Sequence, residues 1–345
     1  MTTNRAQKWS IGNWRRDPST GMLARKGRSS MKRSERNDGM RLVLAATAAA
    51  IAIVCVGVAA GCGVKNSEGS TTLTGARFSV RTDPSIARQI PAEVKSKRIL
   101  TVAADATYPP DEFIASDGKT VIGVDADLAK ALAEVMGLKA NIQNVPFDSI
   151  IPGLAAGKYD LGISSFTDTA QREQVVDFVT YATAGESFFV NASGGPDISS
   201  LDDLSGTTVG AEKGTNEAAD AMAESKKCNA AGRLPVDVML FPDENGVNLA
   251  LASGRVQVGF ADTPVAAYAV TQSAGKFKLT GTSIANAPYG IAIPKDSSLR
   301  QSVLAAVKTL MANGTYEKIL DHWGLQADAI SDPTINAATS GQKER

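Results

Sequence analysis

Short apolar runs alternate with amphipathic stretches in the part of the chain that follows Arg98. Leu128, Leu132 and Val135 share one face of a helical pattern, and Gly137 follows them as a stop signal. Strands that alternate with helices predict a parallel α/β layer, with a ligand crevice at the carboxyl ends of its strands. The predicted strands of this layer are residues 99–104, 140–145 and 159–164, and the predicted helices are residues 125–136 and 148–157.

A second layer of the same kind follows. Its predicted strands are residues 207–211, 236–241 and 256–261, and its predicted helices are residues 217–226 and 244–253. A late strand at residues 289–293 and helices at residues 297–312 and 316–323 complete the pattern. Because 345 residues exceed the size at which one hydrophobic core keeps growing, the two layers predict two lobes.

The segment between residues 164 and 181 has no helical or strand period, so it is predicted to be a loop. It contains Arg172, whose planar guanidinium can hold a carboxylate through two parallel hydrogen bonds, with Ser165 and Thr167 as neutral donors nearby. The alternative is a surface loop in which Arg172 pairs with Glu173 or Asp177, an interaction of little energetic value.

Two further positions suit the ends of a charged ligand. Gly214, Thr215 and Asn216 open a helix, and free backbone N–H groups at such a start attract anions. Asp262 stands at the carboxyl end of a predicted strand, just before another helix. The alternative for Asp262 is an N-terminal helix carboxylate or a helix cap, worth about 1 kcal/mol.

Charge is distributed unevenly along the chain. Residues 1–41 contain eleven basic and three acidic residues, whereas the part after Gly61 contains twenty-five basic and thirty-three acidic ones. The acidic body argues against a nucleic-acid partner. The three cysteines and the single histidine, His322, offer no metal-ligand set, and no cofactor motif is recognised.

The basic head is predicted to be a targeting signal. Residues 42–60 carry no charge and lead into Ala-Ala-Gly-Cys at 59–62, which resembles the lipobox of bacterial lipoproteins. Residues 1–61 are therefore predicted to be a signal peptide that starts at Met1, Met31 or Met40, with Cys62 as the lipidated new N-terminus. Residues 62–97 are predicted to be a flexible tether and residues 327–345 a disordered tail. The alternative is an uncleaved transmembrane anchor.

The order of several motifs is similar to the polar amino-acid-binding family of extracellular solute-binding proteins, the capture subunits of ABC importers. The resemblance covers about residues 97–326. The motifs are DATYPP at 105–110, GVDADLA at 123–129, FDSIIPGLAAGKYD at 147–160, SSFTDTAQR at 164–172, VDF at 176–178, GT at 214–215 and the strand-end Asp262.

The resemblance implies an α/β, two-lobed periplasmic-binding-protein-like fold of type II, with the ligand in the cleft between lobes. The first lobe would be residues 98–189 plus 285–326, and the second residues 190–284. Arg172 would bind the ligand α-carboxylate with Thr167 and the N–H groups of Thr215 and Asn216. Asp262 and the Ser165 carbonyl would bind the α-ammonium. Tyr108 and Phe147 would flank the ligand side chain, and Asp105 and Glu212 would face its polar end.

The implied partners are a polar L-amino acid, the importer permease, and the outer face of the cell membrane through lipid on Cys62; a monomer is expected. Asp105, Asp111, Glu112 and Glu212 favour a basic ligand, and then an amide, although Asp111 and Glu112 also suit a solvated rim. No catalytic residue is assigned. Two alternatives remain: an exported dehydratase-like enzyme on the same fold, and a sensory domain held by an uncleaved helix.

Overall fold

The structure is a computed structural model that describes residue 76 and residues 78–340. The predicted signal peptide and Cys62 lie outside the described residues. None of the helices in the described part is long and apolar enough to cross a membrane.

The helices are α1 (Pro84–Gln89), α2 (Ala92–Lys97), α3 (Val124–Val135), α4 (Phe147–Ala155), α5 (Asn216–Ala230), α6 (Glu244–Ala252), α7 (Thr263–Gln272), α8 (Leu299–Ala312), α9 (Thr315–Trp323) and α10 (Ala337–Ser340). The strands are β1 (Ile99–Ala104), β2 (Thr107–Tyr108), β3 (Glu112–Ile114), β4 (Val121–Ile122), β5 (Lys139–Asn144), β6 (Leu161–Gly162), β7 (Val176–Asn191), β8 (Thr208–Glu212), β9 (Asp237–Phe241), β10 (Val258–Asp262) and β11 (Phe277–Pro294).

Eight strands form one sheet in the order β5-β1-β6-β11-β7-β10-β8-β9. β1 pairs in parallel with β5 and β6, and β8 pairs in parallel with β9 and β10, so the predicted parallel pairing is confirmed in both layers. β7 and β11 are long antiparallel partners that run through both halves. We call the half that holds β1, β5 and β6 the first lobe, and the half that holds β8, β9 and β10 the second lobe.

The pairing of β7 with β11 is irregular in the middle. Its register shifts between Thr280 and Ile284 and again between Ile284 and Ala287. Ala285 has a positive φ of 51° in this stretch. The opposite strand has Gly185 here, where a Cβ would lie 2.1 Å from the Ser283 Oγ. The two strands therefore approach closely where they pass from one lobe to the other.

Each lobe has its own buried cluster. In the first lobe, the apolar face of α3 packs with α8, and the shared cluster includes Leu128, Leu132, Val303 and Val307, as the helical spacing predicts. In the second lobe, Phe188 of β7 lies 4.4 Å from Phe260 of β10 between ring centroids. A third cluster draws residues from both lobes, including the aromatic rings that surround Arg172.

The flexible-tether prediction is wrong for residues 84–97, which form α1 and α2. The Asp83 side chain caps α1 by accepting from the N–H groups of Ser85 and Ile86, and Pro84 occupies its first turn. Ile86, Ile90 and Val94 are buried in the first-lobe core. These three apolar residues lie four positions apart, on one face of a helical pattern, among polar neighbours. The segment's average composition is polar, so it does not reveal this apolar face.

The disordered-tail prediction is wrong for residues 327–340. Ala329 and Ile335 form antiparallel bridges to Ala182 and Val179 of β7, and α10 follows. The reason is a free strand edge: β10 pairs only with residues 186–190 of β7, so the first half of β7 has one side open for another backbone. Backbone and amide hydrogen bonds, which hydropathy does not report, hold the tail there.

Candidate functional site

The loop that carries Arg172 is fixed by buried carboxylates beneath it. The Ser165 N–H donates to Asp125 Oδ2 at 2.9 Å, and the Ser165 Oγ donates to Asp111 Oδ2 at 2.8 Å. Ser165 has a φ of 48°, a backbone conformation that a serine adopts only when its surroundings hold it there. The loop is therefore rigidly joined to the start of α3.

The guanidinium of Arg172 lies between two rings and two carbonyls. Its Nη1 donates to the Thr167 carbonyl at 2.9 Å, and its Nη2 donates across to the Gly214 carbonyl of the second lobe at 3.1 Å. Its Cζ lies 5.4 Å from the Phe147 ring centroid and 5.5 Å from that of Phe166. Burial lowers the pKa of Arg172, although the side chain keeps its charge.

The surface-loop alternative for Arg172 is wrong, because both proposed partners bind other groups. Asp177 forms salt bridges with Lys295 at 3.0 Å and Arg300 at 2.8 Å, and the hydrogen bonds it accepts lower its pKa to about 2 despite burial. Glu173 accepts from Thr339 near the C-terminus.

Asp262 ends β10 and stands at the N-cap position of α7, but its side chain makes no capping hydrogen bond to that helix, so a side-chain cap is wrong. Burial and the neighbouring Glu217 raise the pKa of Asp262 well above its usual range. The charges of Glu217 and Asp262 in turn act on Arg172 and favour its charged form. The Asp262 carboxyl therefore lies close enough to the guanidinium for its charge to act on it.

The predicted anion-binding turn lies beside Arg172. Thr215 caps α5 by accepting from the Ala218 N–H at 3.2 Å, and its Oγ1 donates to the Glu212 carbonyl at 2.8 Å. Gly214 has a φ of 92° that turns its carbonyl toward Arg172. Asn216 is the first residue of α5. Lys213 forms a salt bridge with Asp148 of α4 at 2.8 Å, which ties this turn to the first lobe.

A row of contacting aromatic rings extends from Arg172 toward Asp105. Phe147 stacks on Phe166 at 4.6 Å, and Tyr108 meets Phe147 edge-on at 5.9 Å between centroids. Asp105 accepts from the Phe147 N–H at 2.9 Å and from the Thr107 Oγ1 at 2.8 Å, which fixes it at the end of β1.

Asp105, Glu212 and Glu244 form an acidic group, which we call the acidic pocket residues. Burial, and then the Asp105 charge, raise the pKa of Glu212 to about 10. Burial raises the pKa of Glu244 well above its usual range, with Asp105 among its charged neighbours. Neither Glu212 side-chain oxygen has a hydrogen-bond partner of acceptable geometry among the described residues, and Glu244 Oε1 also has none. Three buried carboxyl groups thus converge, and none of the basic side chains that the structure describes pairs with them.

The sequence did not reveal three acids of this region. Glu244 and Glu217 each lie in the first turn of a helix, where an acidic residue is ordinary, so their positions carry no distinguishing signal. Glu186 lies within β7, and burial together with Glu217 raises its pKa to about 9. Nearly every residue of β7 is buried, so the strand has no exposed face, and no alternation in its sequence singles out Glu186.

Asp111 and Glu112 are not rim residues, since they are only 2% and 0% exposed. Glu112 Oε1 accepts from the Ser164 Oγ at 2.6 Å, while Asp111 binds Ser165. Both lie with Asp125 under the Arg172 loop. Asp111 also acts electrostatically on Asp262, where it raises the pKa.

Comparison with known proteins identifies the family. The sequence profile of the bacterial extracellular solute-binding proteins, family 3, matches residues 100–326. The chain belongs to this family. The family predicted from the motifs, the polar amino-acid-binding group of extracellular solute-binding proteins, is thereby confirmed, and membership places the protein outside the cytoplasm.

Two curated relatives of this solute-binding protein are similar over most of their length. The arginine-binding protein ArgT of Corynebacterium glutamicum is 33% identical over 73% of this chain and 83% of its own. The lysine/arginine/ornithine-binding periplasmic protein of Escherichia coli is 31% identical over 63% of this chain and 84% of its own.

The chain is also similar to solved structures of amino-acid-binding proteins. An ancestral arginine-binding protein bound to arginine is 36% identical, with a TM-score of 0.60 over 65% of this chain and 97% of its own. AbpA of Streptococcus pneumoniae, an amino acid ABC transporter substrate-binding protein bound to L-arginine, is 28% identical, with a TM-score of 0.62 over 68% of this chain and 99% of its own. The two-lobed type II fold predicted from the sequence is confirmed.

Proposed function

We propose that this solute-binding protein captures a basic L-amino acid outside the cytoplasm and delivers it to an ABC importer. The single observation that supports this specificity is that the acidic pocket residues, Asp105, Glu212 and Glu244, converge and that no basic side chain in the described part of the chain pairs with them. Burying carboxyl oxygens without partners, as at Glu212 and at Glu244 Oε1, is unfavourable, and a ligand cation of opposite charge would compensate them. The relatives named for arginine support the proposal.

In this proposal the ligand lies along the aromatic rings. Arg172 binds the α-carboxylate, with Thr167 and the N–H groups of Thr215 and Asn216, while Asp262 and the Ser165 carbonyl bind the α-ammonium. Tyr108 and Phe147 contact the aliphatic stem. A zwitterion that leaves water needs both charges paired. Arg172 supplies the positive charge on one lobe, and a ligand ammonium beside Asp262 on the other lobe would lower its raised pKa and favour the ionised carboxylate.

A ligand that touches both lobes stabilises the arrangement in which they meet. Arg172 already reaches Gly214, and the Glu244 N–H donates to Thr107 Oγ1 at 3.3 Å. The ligand binds more tightly to the arrangement in which the lobes meet than to one in which they are apart. Binding therefore shifts the protein toward a shape that an importer can recognise.

Calorimetric titration of the purified protein with L-arginine, L-lysine, L-glutamine and L-glutamate tests the specificity. We expect the two cationic ligands to bind most tightly and glutamate most weakly. Glu212→Gln should weaken arginine binding more than glutamine binding, whereas the exposed Glu317→Gln should change neither. Tightest binding of glutamate, or an unchanged ratio of arginine to glutamine affinity in Glu212→Gln, would reject a basic ligand.

The lipid anchor rests on the Ala-Ala-Gly-Cys motif at residues 59–62. We expect mass spectrometry of the mature N-terminus to find a diacylated Cys62. Detection of residues 1–61 on the mature protein would instead support the uncleaved anchor.

An enzymatic function is the second candidate. One solved neighbour, 31% identical with a TM-score of 0.60, is an ancestral amino acid-binding protein described as a precursor of cyclohexadienyl dehydratase. Arg172 and Asp262 together suit a ligand with both charged ends, which favours binding without reaction. Incubation with prephenate or arogenate should therefore leave the substrate unchanged, and turnover would reverse this ranking.

A further inference from the structure

Residues 329–340, here called the C-terminal segment, connect the free edge of β7 with the Arg172 loop. The Thr180 N–H donates to the Thr334 carbonyl at 2.9 Å, and the Thr334 N–H donates to the Thr180 Oγ1 at 2.8 Å. The Tyr316 hydroxyl accepts from the Ile330 N–H at 2.9 Å and donates to the Tyr181 carbonyl at 2.7 Å. These contacts bind the segment along the first lobe.

Asn336 holds the segment in register with three hydrogen bonds. Its N–H donates to the Phe178 carbonyl at 3.1 Å, and its Oδ1 accepts from the Phe178 N–H at 2.8 Å. Its Nδ2 donates to Asp177 Oδ1 at 3.0 Å. Asn336 has a φ of 53°, a conformation that asparagine tolerates better than most residues and that turns the chain toward α10.

Beyond Asn336 the segment reaches the two carboxyl groups that bracket Arg172. The Ala337 N–H donates to Asp168 Oδ2 at 2.7 Å. Thr339 donates to Glu173 twice, from its N–H to Oε1 at 3.3 Å and from its Oγ1 to Oε2. Asp168 and Glu173 are each only 4% exposed, so the hydrogen bonds replace water that these groups have lost.

Arg172 lies within the part of the loop that these contacts hold. The Arg172 N–H donates to Thr169 Oγ1 at 3.2 Å and the Glu173 N–H donates to the Thr169 carbonyl at 2.9 Å, but both bonds are internal to the loop. Three groups outside the loop hold its backbone and acidic side chains here: the C-terminal segment, the Pro288 carbonyl, which accepts from the Asp168 N–H at 2.8 Å, and Lys295 Nζ, which donates to the Glu173 carbonyl at 2.6 Å. The Gly214 carbonyl contacts the Arg172 side chain itself.

We propose that Thr339 and the C-terminal segment are positioning elements for Arg172: they bind Asp168 and Glu173 and thereby aim the guanidinium at the ligand carboxylate. The inference rests on the proposed role of Arg172 in the site. Without these donors, two buried carboxyl groups lose partners, and the loop relaxes toward water. A small displacement of Arg172 then weakens a two-point contact whose geometry is strict.

The matched pair Thr339→Val and Thr339→Ser tests the proposal, because valine keeps the shape and removes the hydroxyl while serine keeps the hydroxyl. We expect Thr339→Val to raise the Kd for L-arginine about 3- to 30-fold, and Thr339→Ser to stay within about 2-fold of the unaltered protein. The exposed Ser331→Ala, in the same segment, should leave the Kd unchanged.

Hydrogen exchange without ligand provides the readout that does not depend on the proposed function. Amides of residues 166–174 should exchange faster in Thr339→Val than in Thr339→Ser. If no amino acid binds the unaltered protein, the proposed function fails, yet faster exchange would still support the contact. Unchanged exchange overturns the inference. A lower Tm with unchanged Kd also overturns it, because the segment would then act on stability alone.

Discussion

Arg172 is held in place by contacts from the protein itself. Two carbonyls accept from its terminal nitrogens, and two aromatic rings confine its plane. Such a side chain has already lost much of its rotamer freedom, so little more is lost when a ligand binds. The favourable free energy of its contact with a carboxylate is therefore offset little by the cost of ordering the side chain, and most of it contributes to affinity.

Arg172→Ala is expected to weaken amino-acid binding by about 2–5 kcal/mol, the usual loss when one partner of a buried charge pair is removed. Arg172→Lys should also weaken binding substantially, because an ammonium cannot form two parallel hydrogen bonds. Titration calorimetry measures both. Arg255, which lies 5.6 Å from the Phe241 ring, provides a matched control, since Arg255→Lys changes a stacked arginine outside the proposed site. Equal affinities in all variants would contradict the role of Arg172.

Because the pKa of Glu212 is raised, we expect arginine binding to release protons. That pKa is about 10, against an ordinary value of 4.5, and a ligand guanidinium beside Glu212 would lower it. The free protein then holds a proton that the complex gives up, so affinity should rise between pH 6 and 8. Calorimetry at pH 7 in buffers of different ionisation enthalpy counts the protons. Glu212→Gln should release fewer, and equal release by both proteins would exclude Glu212 as the source.

At the scale of elements, the order of the parallel strands and their helices was readable, whereas the additions at both chain ends were not. The loop prediction for residues 164–181 is wrong for residues 176–181, because they begin the long strand β7, which is buried almost throughout and so lacks the alternation that marks a half-exposed strand. Asp105, Glu212 and Asp262 end or follow β1, β8 and β10, so the parallel pattern predicted their placement at strand ends. Glu244 and Glu217 were missed because first-turn acids are ordinary on helices. The C-terminal segment was missed because its hydrogen bonds use backbone and amide groups, and only the tertiary structure reveals the open edge that they fill.

The N-terminal helices provide a test of an element that contributes to stability alone. Ile86 is buried against the first-lobe core, whereas Arg88 of the same helix is exposed. Ile86→Ala should reduce the free energy of unfolding by about 2–5 kcal/mol, as buried apolar truncations do, with the Kd for arginine unchanged. Denaturant titration and calorimetry measure the two quantities, and Arg88→Ala is the control. A higher Kd for arginine in Ile86→Ala would show that α1 also shapes the site.

At the scale of the whole molecule, the unpaired carboxyl groups make stability depend on pH. The pKa values of Glu212 and Glu186 are raised to about 10 and about 9 in the folded protein. The folded state therefore binds more protons than the unfolded state above the ordinary carboxyl pKa, and stability falls as pH rises. Asp177 has a lowered pKa of about 2 and contributes the opposite trend only at strongly acidic pH.

Denaturant titration of the ligand-free protein is expected to give a lower free energy of unfolding at pH 8 than at pH 5. Saturating L-arginine should reduce the difference, because it binds the folded state and pairs with the ionised groups. Glu212→Gln should reduce the difference without ligand. Greater stability of the ligand-free protein at pH 8 would contradict the raised pKa values.

The pairing of β7 with β11 is weakest near Gly185 and Ser283, where the register of β11 shifts. Bending of the two strands should therefore be confined to a few residues there. Strands that are fully paired resist bending, whereas a stretch with two register shifts and a positive φ at Ala285 has fewer hydrogen bonds to break. We therefore expect residues 281–286 to act as the hinge between the lobes. Crystal structures with and without ligand should superpose within each lobe and differ in backbone torsions here, and changes spread evenly along β7 and β11 would refute a localised pivot.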